Sequence, residues 1–226
     1  MTSTKEKTNN QIKSDLENEL KKNIQGEVRF DDVYRQMYST DGSIYSMTPV
    51  GVTLPKNDDD VTAIIDICNK SNTAILPRGG GTSLSGQTVN SAVVIDFSKY
   101  MNNVIEINPE EKYVITQPGI TIDNLNQKLK HLNLHFTPDP STKSRANVGG
   151  AMGNNSCGAH SIIYGKTVDQ VREMEVILSD SSKAYFEEVS GKVLEDKISL
   201  SNLEGKIYRD VMSLSSKYYD EIKNKY

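Results

Sequence analysis

The sequence predicts an α+β fold built from helices and short strands. Apolar residues recur every three or four positions in several segments, which is typical of helices that lie on a core. Short apolar runs bounded by turn residues are typical of strands. The two kinds of segment do not alternate regularly, so a doubly wound parallel sheet is not expected. Ten of the 15 glycines fall between Gly79 and Gly165, and this clustering marks the region in which function is expected.

Helices are predicted over five segments: residues 11–24, residues 28–38, a segment beginning after Asn57, residues 121–132 and residues 203–226. Asn57 is a predicted N-cap, and the three aspartates after it oppose the positive end of the helix dipole. Thr121 is the predicted N-cap of the fourth helix. The first helix carries a narrow apolar stripe of Ile12, Leu16, Leu20 and Ile24.

Strands are predicted at residues 50–55, 74–76, 92–97, 104–107, 113–116, 173–178 and 184–189. A turn at residues 108–111 joins two of them into a hairpin. Two glycine-rich segments, residues 77–90 and 147–165, are predicted to be loops between strands and helices.

Length, charge and cysteine content exclude several classes. The chain has 226 residues and a formal net charge of −4, which fits one large or two small domains and gives no indication of a nucleic-acid partner. No apolar run approaches the ~20 residues that span a bilayer, and the first residues lack an apolar signal segment. Two cysteines cannot form a disulfide framework, so a cytoplasmic protein is expected.

The first glycine-rich segment, Pro77–Thr88, has the character of an anion-binding loop. Three consecutive glycines are expected only where φ is positive or the backbone approaches something closely. Such a loop can direct several N–H groups at one anion, and Arg78 adds positive charge. The alternative is a tight turn with incidental serines, but an ordinary turn needs one glycine rather than three.

Two familiar nucleotide-binding fingerprints fail in this loop. Residues 81–88 read G-x-x-x-x-G-Q-T, so Gln87 stands where a P-loop nucleoside triphosphatase carries its lysine. Leu84 stands where a Rossmann fingerprint requires its third glycine. The loop therefore suits a diphosphate without matching an ATPase or an NAD site.

The second glycine-rich segment, residues 147–160, consists largely of small residues along which a ligand could lie. Its neutral polar side chains suit hydroxyl groups and heterocycle edges better than a metal. Cys157 and His160 are spaced C-x-x-H, but no second pair completes a zinc site, and no metal is predicted. Two rigid turns, residues 117–119 and 138–141, are able to converge on the same extended ligand.

Together these motifs resemble the FAD-binding domain of the vanillyl-alcohol oxidase / p-cresol methylhydroxylase type. Within that type the sequence is most similar to the branch of glycolate oxidase subunit, D-lactate dehydrogenase and D-2-hydroxyglutarate dehydrogenase. The matching stretches are residues 38–45, 77–87, 117–119, 138–141, 148–150, 153–158 and 164–169. They occur in the family's order over roughly residues 38–180.

The resemblance implies a two-subdomain FAD-binding fold without the C-terminal substrate (cap) domain. It implies an N-terminal helical extension at residues 1–37 and an FAD-binding domain at residues 38–226, with subdomains of about 38–108 and 109–226. The FAD would lie between the subdomains and would be bound non-covalently, because the first loop lacks the histidine to which some relatives attach it.

The resemblance also implies which residues hold FAD. The first loop would bind the pyrophosphate, the Pro-Gly turn and the second glycine-rich segment would flank the ribityl chain and ring, and Ile177 would lie near the adenine. The implied residues are Arg78, Gly79, Gly80, Gly81, Thr82, Ser83, Gly86, Gln87, Pro118, Gly119, Pro138, Asp139, Ser141, Gly149, Gly150, Asn154, Ser156, Gly158, His160 and Ile177.

The implied function is that of the flavin-binding module of a dehydrogenase that oxidises a 2-hydroxy acid of the D-lactate, glycolate or D-2-hydroxyglutarate type. No catalytic residue is assigned, because substrate-binding residues of relatives lie in the cap. The alternative is a non-catalytic flavin-binding subunit or fragment that needs a partner chain supplying a cap or an electron-transfer module.

Overall fold

Residues 9–225 are described by a computed structural model, so the first eight residues of the expected N-terminal extension lie outside it. The described residues form two compact units, one up to Val171 and one from Arg172 onward. The predicted mixture of helices and short strands is confirmed. The two predicted subdomains, residues 38–108 and 109–226, stay a prediction.

A four-stranded sheet organises the first unit. Its strands are β1 (Glu27–Arg29), β2 (Gly51–Leu54), β3 (Ile75–Arg78) and β4 (Val93–Asp96), and their order across the sheet is β1-β2-β4-β3. The strands β2, β4 and β3 are parallel, whereas β1 pairs with β2 in the antiparallel sense. Every residue of β2 and β4 is buried, as expected for central strands covered on both faces.

Helices α1 (Asn9–Asn23), α2 (Asp32–Met37) and α3 (Asp58–Lys70) accompany this sheet. The N-cap prediction at Asn57 is confirmed, since its side chain accepts a 3.0 Å hydrogen bond from the Asp60 N–H. Helix α1 packs on α3 and buries Leu16 and Leu20. The Asp60 carboxylate accepts three hydrogen bonds from the main chain, at residues 25, 26 and 56, and so fixes the turn between α1 and β1.

The later segments of the first unit pack around a second hydrophobic core. Strands β5 (Val104–Asn108) and β6 (Tyr113–Thr116) form the predicted hairpin, and α4 (Ile122–Leu129) begins after its Thr121 cap, as predicted. The short helices α5 (Val148–Gly153) and α6 (Ser161–Tyr164) follow. The buried side chains of this core are Ile120, Ile122, Leu125, Leu129, Ala146, Val148 and Ala151.

The second unit consists of a hairpin and three helices. Strands β7 (Met174–Ile177) and β8 (Lys183–Phe186) pair in the antiparallel sense, and α7 (Gly191–Ser199), α8 (Leu203–Lys217) and α9 (Tyr219–Lys225) follow. Helix α7 packs on α8. The Phe186 and Tyr208 rings stand 5.8 Å apart between centroids. No helix within residues 9–225 is long and apolar enough to cross a membrane.

Three sequence predictions are wrong in detail. The helix predicted at residues 28–38 is the strand β1 followed by α2, because β1 is stabilised by pairing with a strand distant in sequence. The helix predicted at residues 203–226 is interrupted at Tyr218, which leaves helical geometry at φ −111° and ψ 18°. The loop predicted at residues 147–165 contains α5 and α6, and α5 is held by the buried side chains of Val148 and Ala151.

The two cysteines are expected to differ in reactivity. Burial raises the pKa of the Cys68 thiol to about 12, so Cys68 stays protonated at mildly alkaline pH, whereas Cys157 is free and exposed. Because the thiolate is the reacting form, a disulfide reagent should titrate one thiol per native chain and two per unfolded chain. Two fast-reacting thiols in the native protein would contradict this packing of Cys68.

Candidate cofactor site

The first glycine-rich loop follows strand β3, and two of its glycines have left-handed backbone conformations. Gly81 has φ +65° and Gly86 has φ +75°, values that side-chain-bearing residues adopt only with strain. A methyl group at Gly86 would lie 2.7 Å from the Tyr45 ring, and one at Gly80 would overlap the Arg145 carbonyl oxygen. Glycine is therefore required here both by conformation and by close approach.

The loop presents backbone donors that have no partner in the folded chain. Within the part of the chain that the structure describes, the backbone N–H groups of residues 79–83 donate to no protein acceptor. These residues are half-buried or exposed. Several unpaired N–H groups in succession on a glycine-rich turn form an anion-binding concavity. The observation supports the anion-binding interpretation of the loop over an ordinary turn.

The polar side chains of the loop bond mainly within the protein. The Ser83 hydroxyl donates to the Gln87 side-chain oxygen and accepts from the Gln87 N–H at 3.2 Å. The Arg78 guanidinium donates to three backbone carbonyl oxygens and lies over the Tyr38 ring, 5.2 Å from its centroid. Burial lowers the pKa of Arg78. The main-chain donors of residues 79–83 are thus unpaired, while the side chains of the loop hold its shape.

The second glycine-rich segment pairs with the Pro-Gly turn. The N–H groups of Val148 and Gly149 donate to the carbonyl oxygens of Ile120 and Pro118, both at 2.9 Å. A methyl group at Gly149 would lie 2.6 Å from the Pro118 side chain, so the two segments are in close contact. This pairing brings together the two small-residue segments that the sequence marked separately.

Asn147 connects three of the predicted segments. It is buried, and its side-chain amide donates to the Gly119 carbonyl oxygen. Its Oδ1 has no hydrogen-bond partner among the described residues and lies so close to Gly79 that a methyl group there would overlap it. Sequence reasoning missed this residue, although an asparagine directly before a helix of small residues is a recognisable N-cap signal.

Helix α5 leaves one face open. A methyl group built at Gly150 or Gly153 would meet nothing within 4 Å, and the two positions are three residues apart on one helical face. Asn154 is exposed beside them. The Ser156 carbonyl accepts from the Thr167 N–H at 3.1 Å and from its hydroxyl at 2.7 Å. A flat ligand could approach the α5 backbone across this face.

The Pro-Asp-Pro turn contacts the end of the second glycine-rich segment. The Asp139 carboxylate accepts from the His160 N–H at 3.2 Å and from its Nδ1 at 2.5 Å. The hydrogen bond from the His160 ring lowers the pKa of Asp139. A methyl group at Gly158 would overlap the main chain of Asp139. Pro138 is buried, whereas Ser141 is exposed.

Comparison with known proteins decides which family this arrangement belongs to. The sequence profile described as FAD binding domain matches residues 49–183, more than half of the chain. The chain belongs to the FAD binding domain family. It is 34% identical over 189 residues to D-2-hydroxyglutarate dehydrogenase from Pseudomonas putida, covering 82% of this chain and 19% of that protein. Glycolate oxidase subunit GlcD from Bacillus subtilis is 34% identical over 162 residues, covering 70% of this chain and 34% of that subunit.

Several solved structures have a fold similar to that of this FAD binding domain. A structure of alkyldihydroxyacetonephosphate synthase matches with a TM-score of 0.69 at 20% identity, covering 83% of this chain and 36% of that one. p-Cresol methylhydroxylase with substrate bound matches with a TM-score of 0.66 at 18% identity, covering 79% and 36%. The predicted p-cresol methylhydroxylase-type fold and the FAD cofactor are therefore confirmed. The chain spans about a fifth to a third of the length of the two curated relatives above.

The residues present fit FAD. Its diphosphate suits the unpaired N–H groups of residues 79–83, and its flat ring suits the open face of α5. The unpaired Asn147 Oδ1 is the kind of buried acceptor that a ligand hydroxyl or an ordered water satisfies. Within residues 9–225 no group of three histidine, cysteine or acidic side chains could hold a metal ion.

Two groups of the predicted site residues come together in the structure, and one predicted residue lies in the other unit. Gly79, Gly80, Gly119 and Gly149 meet around Asn147 and Pro118. Asp139, Gly158 and His160 contact one another at the Pro-Asp-Pro turn. Ile177 is half-buried on β7 in the second unit, and its place beside the adenine stays a prediction.

Removing the Asn147 side chain is expected to destabilise the FAD binding domain. Asn147→Ala leaves the buried Gly119 carbonyl without its donor, which should lower the free energy of unfolding by about 1–3 kcal/mol. Asn124→Ala, at an exposed helical position, is the control and should change it by less than about 0.5 kcal/mol. Urea denaturation measures both, and equal values for the two variants would contradict the connecting role of Asn147.

Proposed function

We propose that this chain binds FAD non-covalently and forms the flavin-binding part of a dehydrogenase that oxidises a small 2-hydroxy acid. The relatives named above support the substrate class, since they are a D-2-hydroxyglutarate dehydrogenase and a glycolate oxidase subunit. A D-lactate dehydrogenase from Kluyveromyces lactis is also 33% identical over 138 residues, covering 59% of this chain and 24% of that enzyme. The observation that carries the proposal is the row of unpaired N–H groups at residues 79–83.

In this proposal the first loop holds the FAD diphosphate. The N–H groups of residues 79–83 donate to its oxygens, and Gly86 and Gln87 close the loop behind them. No lysine is needed, because main-chain donors at close range replace a side-chain charge. The hydroxyl groups of Thr82 and Ser83 lie on the same turn and add to its polar lining.

The remaining site residues hold the ribityl chain and the ring. Pro118, Gly119, Gly149 and Gly150 give a backbone surface against which the ring lies, and Asn154, Ser156 and Gly158 continue it. The pair of Asp139 and His160, with Pro138 and Ser141, borders the ring end. The flavin ring of FAD supplies the hydride acceptor for oxidation of a hydroxy acid.

The protein's own contribution is therefore binding and orientation, and no residue is assigned as a catalytic base. A partner chain that supplies a cap or an electron-transfer module is part of the proposal, because one of the similar proteins is named a subunit.

A cytoplasmic location stays a prediction. Both cysteines are free thiols, which is compatible with a reducing compartment.

The alternative is a flavin-binding subunit without catalysis of its own. The observation that favours it is an exposed apolar stripe along α8 and α9, formed by Val211, Leu214, Tyr218 and Ile222. Apolar stripes of this kind mark surfaces that other protein covers.

Purified protein is expected to be yellow or to become yellow when FAD is added, and to release FAD rather than FMN on denaturation. Anaerobic addition of D-lactate, glycolate or D-2-hydroxyglutarate should bleach the flavin absorbance if the chain carries out the oxidation. An unbleached but FAD-loaded protein would favour the binding subunit. A colourless protein that FAD cannot reconstitute would overturn both.

A single methyl group in the first loop is expected to abolish FAD retention. Gly80→Ala places its Cβ on the Arg145 carbonyl oxygen and displaces the loop. Gly205→Ala is a matched control, because its Cβ overlaps the Leu200 carbonyl oxygen in the second unit. Flavin stoichiometry after gel filtration should fall at least about ten-fold for Gly80→Ala only. Equal flavin loss in both variants would show a general folding effect instead.

A further inference from the structure

The segment of residues 38–45, termed the clamp here, packs along the first glycine-rich loop. The Gly42 N–H donates to the Gly81 carbonyl oxygen at 2.9 Å. A methyl group at Gly42 would lie 3.0 Å from the Ser83 carbonyl oxygen, and the Tyr45 ring lies against Gly86. The clamp therefore contacts the loop at three points along its length.

Arg78 ties the start of the loop to the clamp and to the end of the loop. Its Nη1 donates to the Tyr38 carbonyl at 3.2 Å and to the Thr88 carbonyl at 2.9 Å. Its Nη2 donates to the Thr40 carbonyl at 2.8 Å. These bonds use two different nitrogens of the rigid planar guanidinium, and the single ammonium nitrogen of a lysine lacks that spacing of donors. A lysine at this position would keep the charge and lose the arrangement.

Asp41 ties the clamp to the same far end of the loop. Its Oδ2 accepts from the Thr88 N–H at 3.3 Å and from the Thr88 hydroxyl at 2.9 Å. Its Oδ1 accepts from the Ser43 N–H at 2.8 Å. Desolvation alone would raise the pKa of Asp41, but the hydrogen bonds from Ser43 and Thr88 outweigh it and lower the pKa.

The two ties converge on Thr88, ten residues after Arg78. They close the loop into a ring while the N–H groups of residues 79–83 stay unpaired. We propose that Arg78 and Asp41 are positioning residues for the diphosphate-binding loop: they shape its backbone donors and do not themselves bind the phosphates. This inference rests on the proposed function, in which that loop holds the FAD diphosphate.

The direction in which Asp41→Asn changes the FAD affinity distinguishes a positioning role from a purely electrostatic one. Removing a negative charge beside an anion site would strengthen binding if charge alone mattered. Loss of the Asp41 tie is expected instead to weaken FAD binding at least about ten-fold, because hydrogen bonds to a charged acceptor are strong. Thr88→Val, which removes one hydrogen bond without a change of charge, should weaken binding in the same direction.

Arg78→Lys and Arg78→Met test the second tie. If Arg78 shapes the loop, both variants lose FAD affinity by a similar factor, since neither side chain has donors on two separate nitrogens in a planar fork. If Arg78 acts on phosphate by charge, Arg78→Lys keeps most of the affinity. Arg35→Lys is the matched control, because Arg35 also donates to a backbone carbonyl, that of Pro49, and its other hydrogen bond goes to Asp32 outside the loop.

Two measurements decide the matter: the FAD dissociation constant by fluorescence titration, and amide hydrogen exchange of the cofactor-free variants. Faster exchange confined to the hydrogen-bonded amides of the clamp and of the end of the loop, those of Gly42, Ser43, Gln87 and Thr88, with weaker FAD binding in Asp41→Asn and in both Arg78 variants, supports positioning. Faster exchange throughout the chain would show a general loss of stability and overturn it. Unchanged or tighter binding in Asp41→Asn, or Arg78→Lys within about two-fold of the unmodified protein, would also overturn it.

The proposed function fails separately, if the unmodified chain binds no FAD. In that case the variants cannot be compared and the inference falls with the function on which it rests. Tight FAD binding by the unmodified chain together with wild-type affinity in every variant would leave the proposed function standing and remove the positioning roles alone.

Discussion

The hydrogen bond from the Asn147 amide to the Gly119 carbonyl is the constraint on which the site depends. Asn147 stands where the first glycine-rich loop, the Pro-Gly turn and helix α5 meet. The backbone pairing between residues 118–122 and 146–149 continues on either side of it. The close backbone approaches at Gly79, Gly80 and Gly149 lie around this one buried side chain.

The candidate site consists mainly of main-chain groups. Its polar side chains act indirectly, by holding the main chain in place. Arg78, Asp41, Ser83 and Asp139 all bond to other parts of the protein rather than standing free toward solvent. Partly buried charged groups with satisfied hydrogen bonds hold their neighbours in one arrangement, whereas a fully exposed charge constrains little. A rigid framework of this kind suits a cofactor that stays bound while substrates come and go.

Local signals predicted the parts of the fold that local chemistry determines. The caps at Asn57 and Thr121 and the hairpin at residues 104–116 follow from short-range hydrogen bonding and turn geometry. Strand β1 could not be predicted, because three half-buried residues form a strand only by pairing with β2. Helix α5 was missed since its glycines disfavour a helix, and burial of Val148 and Ala151 overrides that preference. The glycine loops were predicted to form a site, but the connecting role of Asn147 depends on contacts between segments far apart in sequence.

A loop that binds its ligand through main-chain N–H groups differs in one property from a site that binds through titratable side chains. Peptide N–H groups do not titrate in the range where proteins are folded, and the shape-holding carboxylate of Asp41 has its pKa lowered and so stays ionised toward acid. In the proposed function, ligand binding by the N–H groups of residues 79–83 is consequently expected to change little with pH. Such a domain can be joined to catalytic parts that work at quite different acidity without change to the loop itself.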